Sequence, residues 1–324
     1  MKAVVYAEYG SPDALKLEEI EKPTPKDNEV LVKIHAASVN AADWYFLKGE
    51  PFLVRLSSGL FGPKNKILGF DIAGRVEAVG KNASQFKPGD EVFGDISGCG
   101  GGGFAEYVAV PESALALKPV NLTFEEAAAV PMAGVTALQG IRDHGQLTPG
   151  QKVLINGASG GVGTFAVQIA KSFGAEVTAV CSTVKMDMAR AIGADHVIDY
   201  TKEDFTQNGK RYDLILGVNG HHSLSGYKRA LTRGGRYICV GGKMTQIFGA
   251  MLFGPLMSMT GNKTLKGMGP AQPNQKDLQA MKRLVEGGTV VPVVEKRYSL
   301  TEVPEALRHL GRGRAMGKIV INIQ

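Results

Sequence analysis

Residues 152–173, KVLINGASGGVGTFAVQIAKSF, constrain the fold more than any other stretch, because a short apolar strand, a glycine turn and an amphipathic helix follow one another without a break. Val153, Leu154 and Ile155 form an apolar run bounded by Gly150 and Gly157. Val162, Ala166, Ile169, Ala170 and Phe173 then recur at helical spacing until Gly174 stops the helix. Such a turn suits a pyrophosphate. Gly160 would let the backbone approach the anion, and Gly163 would let the helix pack closely on the strand. The unpaired N–H groups and dipole of the helix N-terminus favour negative charge by roughly 0.3–1 kcal/mol at an exposed end. The segment Ala158-Ser159-Gly160-Gly161-Val162-Gly163 departs from the usual G-x-G-x-x-G spacing in one place, where alanine stands in the first glycine position. A second apolar run at 177–181 completes a βαβ unit of the expected length.

The stretches on either side differ in character. The first hundred residues read as β-rich, with strand-like runs at 2–6, 30–38, 72–79, 91–93 and 105–110 separated by turns such as Lys87-Pro88-Gly89-Asp90. From Phe124 onward, strands expected at 153–155, 177–181, 196–198, 213–216, 236–240 and 264–268 alternate with helical stretches, which predicts a doubly wound parallel sheet. A further helix at 276–286 and strand-like runs at 290–294 and 318–323 return to the β-rich character of the first hundred residues. The expected organisation is a dinucleotide-binding domain over 123–272, inserted into a β-rich domain made of 1–122 and 273–324.

With 324 residues the chain can bury a large core. Its formal net charge of +6 is scattered rather than blocked, so nucleic acid is not implied. The three cysteines, Cys99, Cys181 and Cys239, lie far apart with no C-x-x-C pair, which points to a reducing compartment. The N-terminus reaches an acidic residue at Glu8 and has no signal-peptide core, so a cytoplasmic location is expected. The longest apolar patch, 248–259, is broken by Gly254 and Pro255 and is too short to span a bilayer.

Taken in order, a β-rich domain, AAAVPMAGVTALQGI, NGASGGVGTFAVQIAKSFGAEVTAV, GADHVIDY and MGKIVI resemble the zinc-independent quinone oxidoreductase branch of the medium-chain dehydrogenase/reductase superfamily nearly end to end. NAADW with LKG, GGGGFAEYVAV and FGAMLFGPLMSM most resemble bacterial and chloroplast-envelope quinone oxidoreductase-like proteins. The resemblance implies a Rossmann domain inserted into a GroES-like barrel domain, NADPH as cofactor, hydride transfer in a cleft between the domains, and a homodimer joined through the sixth strand of the dinucleotide domain. Where zinc-dependent relatives carry ligands, this chain has Asn40 in place of the first cysteine and Gly69-Phe70-Asp71 in place of Gly-His-Glu. Only Cys99 remains of the four-cysteine lobe. A tetrahedral zinc site needs at least three converging ligands, so no metal is expected. The adjacent pair His221-His222 reads as a loop bordering the cofactor.

The choice between NADH and NADPH turns on the end of the second strand, where an NAD-specific site places an acid on the ribose 2′-hydroxyl. Here it reads Cys181-Ser182-Thr183-Val184-Lys185. Ser182 and Lys185 would offer a hydroxyl and a positive charge to a 2′-phosphate, and the resemblance adds Tyr200. It further implies cofactor contacts from the 158–163 turn, from Val240 and Gly241, and from Lys318 on the phosphates. Asn40 and Thr136 would border the nicotinamide, and Phe70 would wall the substrate pocket where the metal is missing. Tyr45 would donate to the substrate oxygen, since a tyrosine with pKa near 10 is protonated at neutral pH. The expected substrates are quinones, enones or alkenals. The alternative is an NADPH sensor or RNA-binding protein with little catalysis, which the mild charge and the lack of RNA-motif aromatics disfavour.

Overall fold

The six apolar runs that alternate with helices pair into one parallel sheet. Its order is His196–Asp199, Glu176–Cys181, Lys152–Asn156, Tyr212–Gly217, Leu231–Cys239 and Thr264–Gly267. The chain winds outward from the Lys152–Asn156 strand, then crosses back to build the other half. This places the topological switch at the carboxyl ends of Lys152–Asn156 and Tyr212–Gly217, where such sheets bind ligands. Val153, Leu154 and Ile155 are fully buried, as a strand covered on both faces requires.

The computed structural model describes residues 1–220, 222–259 and 261–323. They form two units, one of Met1–Ala133, Pro273–Gly287 and Pro292–Gln324, the other of Gly134–Gln272 and Gly288–Val291. The second unit holds the parallel sheet. Its two ends are clasped by reciprocal hydrogen bonds: Gln139 Nε2 donates to the Gln272 carbonyl at 2.8 Å, and Gln272 N–H donates to Gln139 Oε1 at 3.0 Å.

The first unit is built on a seven-stranded sheet ordered Val294–Ser299, Lys318–Asn322, Glu29–Val39, Asp71–Val79, Glu91–Asp95 and Leu115–Leu117, with Tyr107–Pro111 also pairing on Glu29–Val39. Lys2–Val5 and Lys16–Glu19 form a separate antiparallel pair. Two expectations need correction. The helix Phe124–Ala128, expected in the dinucleotide domain, belongs to the first unit, where Phe124 stacks on His35 with centroids 4.2 Å apart. The strand expected at 290–294 begins instead at Val294, because the valines before it flank Pro292 and a proline interrupts ladder pairing. The predicted helix near 276–286 is present as Gln275–Glu286.

Candidate active site

In the parallel-sheet unit, backbone geometry makes the site. Gly157 adopts φ +92°, a conformation that side-chained residues rarely take, and a β-carbon there would sit 2.6 Å from the Asn219 nitrogen. The sharp turn therefore rests on Gly157, one residue before the alanine that breaks the fingerprint. Ala158 is buried, and its N–H is bonded to the Val180 carbonyl at 3.1 Å. A β-carbon on Gly163 would lie 2.1 Å from the Gly157 carbonyl oxygen, so only glycine allows the helix Gly161–Ser172 to close on the turn. Gly160, the N-cap of that helix, is different: an added β-carbon would meet nothing nearer than the Gly157 oxygen at 3.9 Å. The chain's own packing does not require glycine at 160. Open space at a helix N-terminus fits the close approach of a pyrophosphate.

The neighbouring strand ends bring the other expected contacts into the same unit. Tyr200 N–H donates to the Cys181 carbonyl at 3.1 Å, which sets this exposed residue beside the strand end that carries Ser182, and Lys185 closes a short turn by donating its N–H to the Ser182 carbonyl at 2.9 Å. No acid lies in 181–185, yet strand register puts Asp199 opposite Cys181. That carboxylate accepts from the Thr183 hydroxyl and from the Thr201 hydroxyl at 2.7 Å and N–H at 3.0 Å. The hydroxyl bonds, Thr183 first, hold its pKa below the usual carboxylate range. Val240 and Gly241 both donate N–H to the Gly217 carbonyl, at 2.8 and 3.2 Å, at the end of the adjacent strand. Thr136 lies on the helix Pro131–Gln139. His221 lies outside the described residues. His222 packs its ring against Phe205 and Tyr227, at 4.6 and 5.8 Å, and stands 3.6 Å from Asp204.

In the first unit, side chains from distant strands make the site. Register explains their meeting. Ile319 pairs with Val39, which leaves Lys318 beside Asn40, while Ser38 and Asp95 flank Asp71 across the Glu29–Val39 and Glu91–Asp95 strands. Asp71 Oδ2 accepts from Ser38 Oγ at 2.9 Å, Asn40 Nδ2 at 2.9 Å and Lys318 Nζ at 3.2 Å. Its Oδ1 accepts from the Met132 N–H at 2.9 Å. Lys318 Nζ also donates to Asn40 Oδ1 at 2.5 Å. Both ends of the Asn40 amide are thus engaged, and the Lys318 ammonium is buried with two protein partners rather than held out as a free phosphate ligand. Asp43 starts the helix Ala41–Lys48 by accepting N–H bonds from Asn40 at 2.8 Å and Gly69 at 2.9 Å. Burial nevertheless pushes its pKa up to about 7. Burial, followed by the charge of Asp71, pushes Asp95 to about 7 as well.

Tyr45 is half-buried on that helix. Phe70 does not wall a pocket: it is 1% exposed, in edge contact with Phe46 at 5.2 Å and clustered with Leu47, Leu68 and Phe104. A large apolar ring at this strand start gains more by filling the core than by facing solvent. Ser38, Asp43, Asp95 and Gly157 join the sites without having been expected there. Asn40 with Asp43 three positions on is the one local signal that could have found a helix start here.

The residues fit a dinucleotide and do not fit zinc. The glycine cradle leaves room for an anion. At the metal position, by contrast, Phe70 is a core hydrocarbon and Asp71 is saturated by an ammonium and three other donors. Among the described residues no group of three or more His, Cys, Asp or Glu side chains could hold a metal ion. The parallel sheet and its glycine turn fit a dinucleotide-dependent oxidoreductase.

Comparison with known proteins supports the oxidoreductase class. Residues 26–120 match the alcohol dehydrogenase GroES-like domain, and residues 192–321 match a family described as zinc-binding dehydrogenase. The chain is 34% identical to the chloroplast envelope quinone oxidoreductase homolog of Arabidopsis thaliana, covering 99% of this chain and 98% of that protein. It is 33% identical to the chloroplastic NADPH-dependent alkenal/one oxidoreductase of Arabidopsis thaliana, covering 99% and 79%. The solved quinone oxidoreductase of Coxiella burnetii superposes with a TM-score of 0.87 at 27% identity, covering 100% and 99%. The chain belongs to the medium-chain dehydrogenase/reductase superfamily, in its quinone oxidoreductase-like branch.

Proposed function

We propose that the protein is an NADPH-dependent reductase of quinones and α,β-unsaturated carbonyls that works without zinc. The observation that carries this reading is the saturation of Asp71 by Lys318, Asn40 and Ser38, which supports a site with a fixed ammonium where a Lewis acid would otherwise stand. A simple ketone needs strong polarisation of its carbonyl. A conjugated acceptor needs less, because charge spreads over an enolate or quinol that hydrogen bonds alone can hold. NADPH, when bound, supplies the hydride.

The chain's own residues bind and orient. The 158–163 turn holds the pyrophosphate. Ser182, Lys185 and Tyr200 receive the 2′-phosphate, and Val240 and Gly241 line the adjoining strand end. Asn40 and Thr136 border the nicotinamide, with Asn40 held rigid by Lys318 and Asp71. Tyr45 donates a hydrogen bond to the substrate oxygen. The test compares a saturated ketone with its unsaturated analogue under deuterated NADPH. Faster turnover of the unsaturated compound, with label on the carbon β to the carbonyl and no loss on chelation, is expected. Label on the carbonyl carbon, or zinc-dependent activity, would sink the reading.

Two further points belong to the same reading. The edge strand Thr264–Gly267 ends the parallel sheet beside exposed Met251, Leu252, Phe253, Leu256 and Met259, and an unpaired edge with apolar cover favours a homodimer. A concentration-independent monomer mass in light scattering would refute it. Among the described residues no helix is long and apolar enough to cross a membrane, and the scattered free cysteines support a reducing compartment, here the cytoplasm.

A further inference from the structure

A second apolar crest lies in the other unit and takes no part in the chemistry above. Phe52, Leu53, Leu56, Leu60 and Phe61 are all exposed within ten residues, on the short helix Phe52–Ser58 and the turn that follows, and Phe61 is 98% exposed. Singly exposed apolar residues are ordinary, but a contiguous group marks an interaction surface. The underside of the crest is firmly held. Tyr9 Oη donates to the Gly59 carbonyl at 2.6 Å and bonds Ser58 Oγ at 2.8 Å, Arg55 Nε donates to the Gly49 carbonyl at 3.0 Å, and Lys64 N–H donates to the Ser58 carbonyl at 2.8 Å. The apolar tips therefore stand out because the polar face is anchored.

Charge selects the occupant. From residue 44 to residue 70 the cations are Lys48, Arg55, Lys64 and Lys66, and the one acid, Glu50, is paired with Lys48 at 3.3 Å. Lys64 and Lys66 are exposed directly after Phe61. A second copy docking crest to crest would set these like charges against one another. A side chain as exposed as Phe61 has no neighbour to lie flat against, and suits a fluid medium into which it inserts. Phenylalanine and leucine beside lysines form the pattern by which peripheral proteins sit at an anionic lipid interface.

We propose that the 52–61 crest docks the protein on anionic bilayer surfaces, where it meets electrophiles dissolved in the lipid. The crest follows directly on the helix Ala41–Lys48 that carries Tyr45, so docking brings that helix to the lipid surface. The choice of electrophile rests on the reductase reading, whereas docking itself is read without catalysis.

The experiment mixes the full chain, loaded with NADPH, with vesicles of phosphatidylcholine alone and of phosphatidylcholine with phosphatidylglycerol, and measures co-sedimentation. Salt-sensitive binding that favours the anionic vesicles is expected. Leu56→Ser with Phe61→Ser should weaken it at least about tenfold, and Lys64→Glu with Lys66→Glu should abolish the anionic preference. Turnover of a water-soluble quinone should stay unchanged in both variants while that of a vesicle-embedded long-chain quinone falls with binding. Absence of sedimentation, wild-type binding by both variants, or a shift of the apolar variant from dimer to monomer in light scattering would each overturn the proposal.

Discussion

The glycine turn at 157–163 and the Asn40, Asp71 and Lys318 cluster are built in opposite ways. In the turn the backbone carries the geometry, and residues within seven positions of one another meet. In the cluster side chains carry it, and Lys318 reaches Asn40 across a separation of 278 positions. A backbone site is sensitive to added bulk where the chain packs against it, as at Gly157 and Gly163, but carries no buried charge, whereas a side-chain site is sensitive to the loss of any one charge. The difference predicts which substitutions damage folding and which damage binding alone.

The sharpest break comes from Lys318→Met, which leaves the buried Asp71 carboxyl without its cation. Removing one partner of such a pair costs about 3–5 kcal/mol, to be read by urea denaturation. Adding Asp71→Asn should recover most of that loss. A double variant no more stable than the single one would show that the cluster is not a charge pair in the sense argued. Next in size is Gly163→Ala. Its methyl would press on the Gly157 carbonyl, so a loss of about 1–3 kcal/mol in stability is expected, together with failure to bind NADPH. Gly160→Ala should leave the melting temperature unchanged and weaken NADPH alone, as titration of cofactor fluorescence would reveal. Equal stability losses in the two variants would erase the distinction between a glycine needed for packing and one needed for ligand approach.

Lys185→Ala tests the discriminating end of the turn site. A charge-assisted contact contributes about 1.5–3 kcal/mol, so NADPH affinity should fall about ten- to a hundredfold while NADH affinity holds. The smallest effect concerns pH. Asp43 and Asp95 titrate near 7 in the folded protein because burial raises both, and near 3.9 when unfolded. The folded state holds the extra protons between those values, so stability is full below about pH 4 on this account and declines as pH rises toward 7. Asp95→Asn keeps the acceptor for Ser97 N–H and should flatten the decline, raising the melting temperature at pH 8 by a few degrees. An unchanged slope would mean that Asp95 is ionised in the folded state.

These contrasts explain what is legible in the sequence. Strand, turn and helix at 152–173 can be read because their periodicity is local, and so can the alternation that builds the parallel sheet. Gly157 escapes notice because the G-x-G-x-x-G template fixes attention on position 158, while left-handed geometry one residue before it does the turning. Phe70 is misplaced because a resemblance gives its position in the sequence but not the direction of its ring. Lys318 reads as a phosphate ligand, since only the register of Ile319 with Val39 reveals that it lies against Asn40. Apolar pattern foretells which strands are buried; it does not foretell which polar side chains those strands bring together.

The reciprocal clasp between Gln139 and Gln272 bears on the order of assembly. The first unit is interrupted: the strand Lys318–Asn322 must find Glu29–Val39 across the whole inserted unit, a contact of very high sequence separation that slows folding. If the inserted unit folds first, Gln139 and Gln272 hold its two ends together, and the effective loop that the outer strands must close shrinks by nearly the length of the insertion. Each halving of such a loop recovers about 0.6 kcal/mol of closure entropy. A clasp between two glutamines thus acts as a folding aid, letting a long detour in the chain behave as a short one.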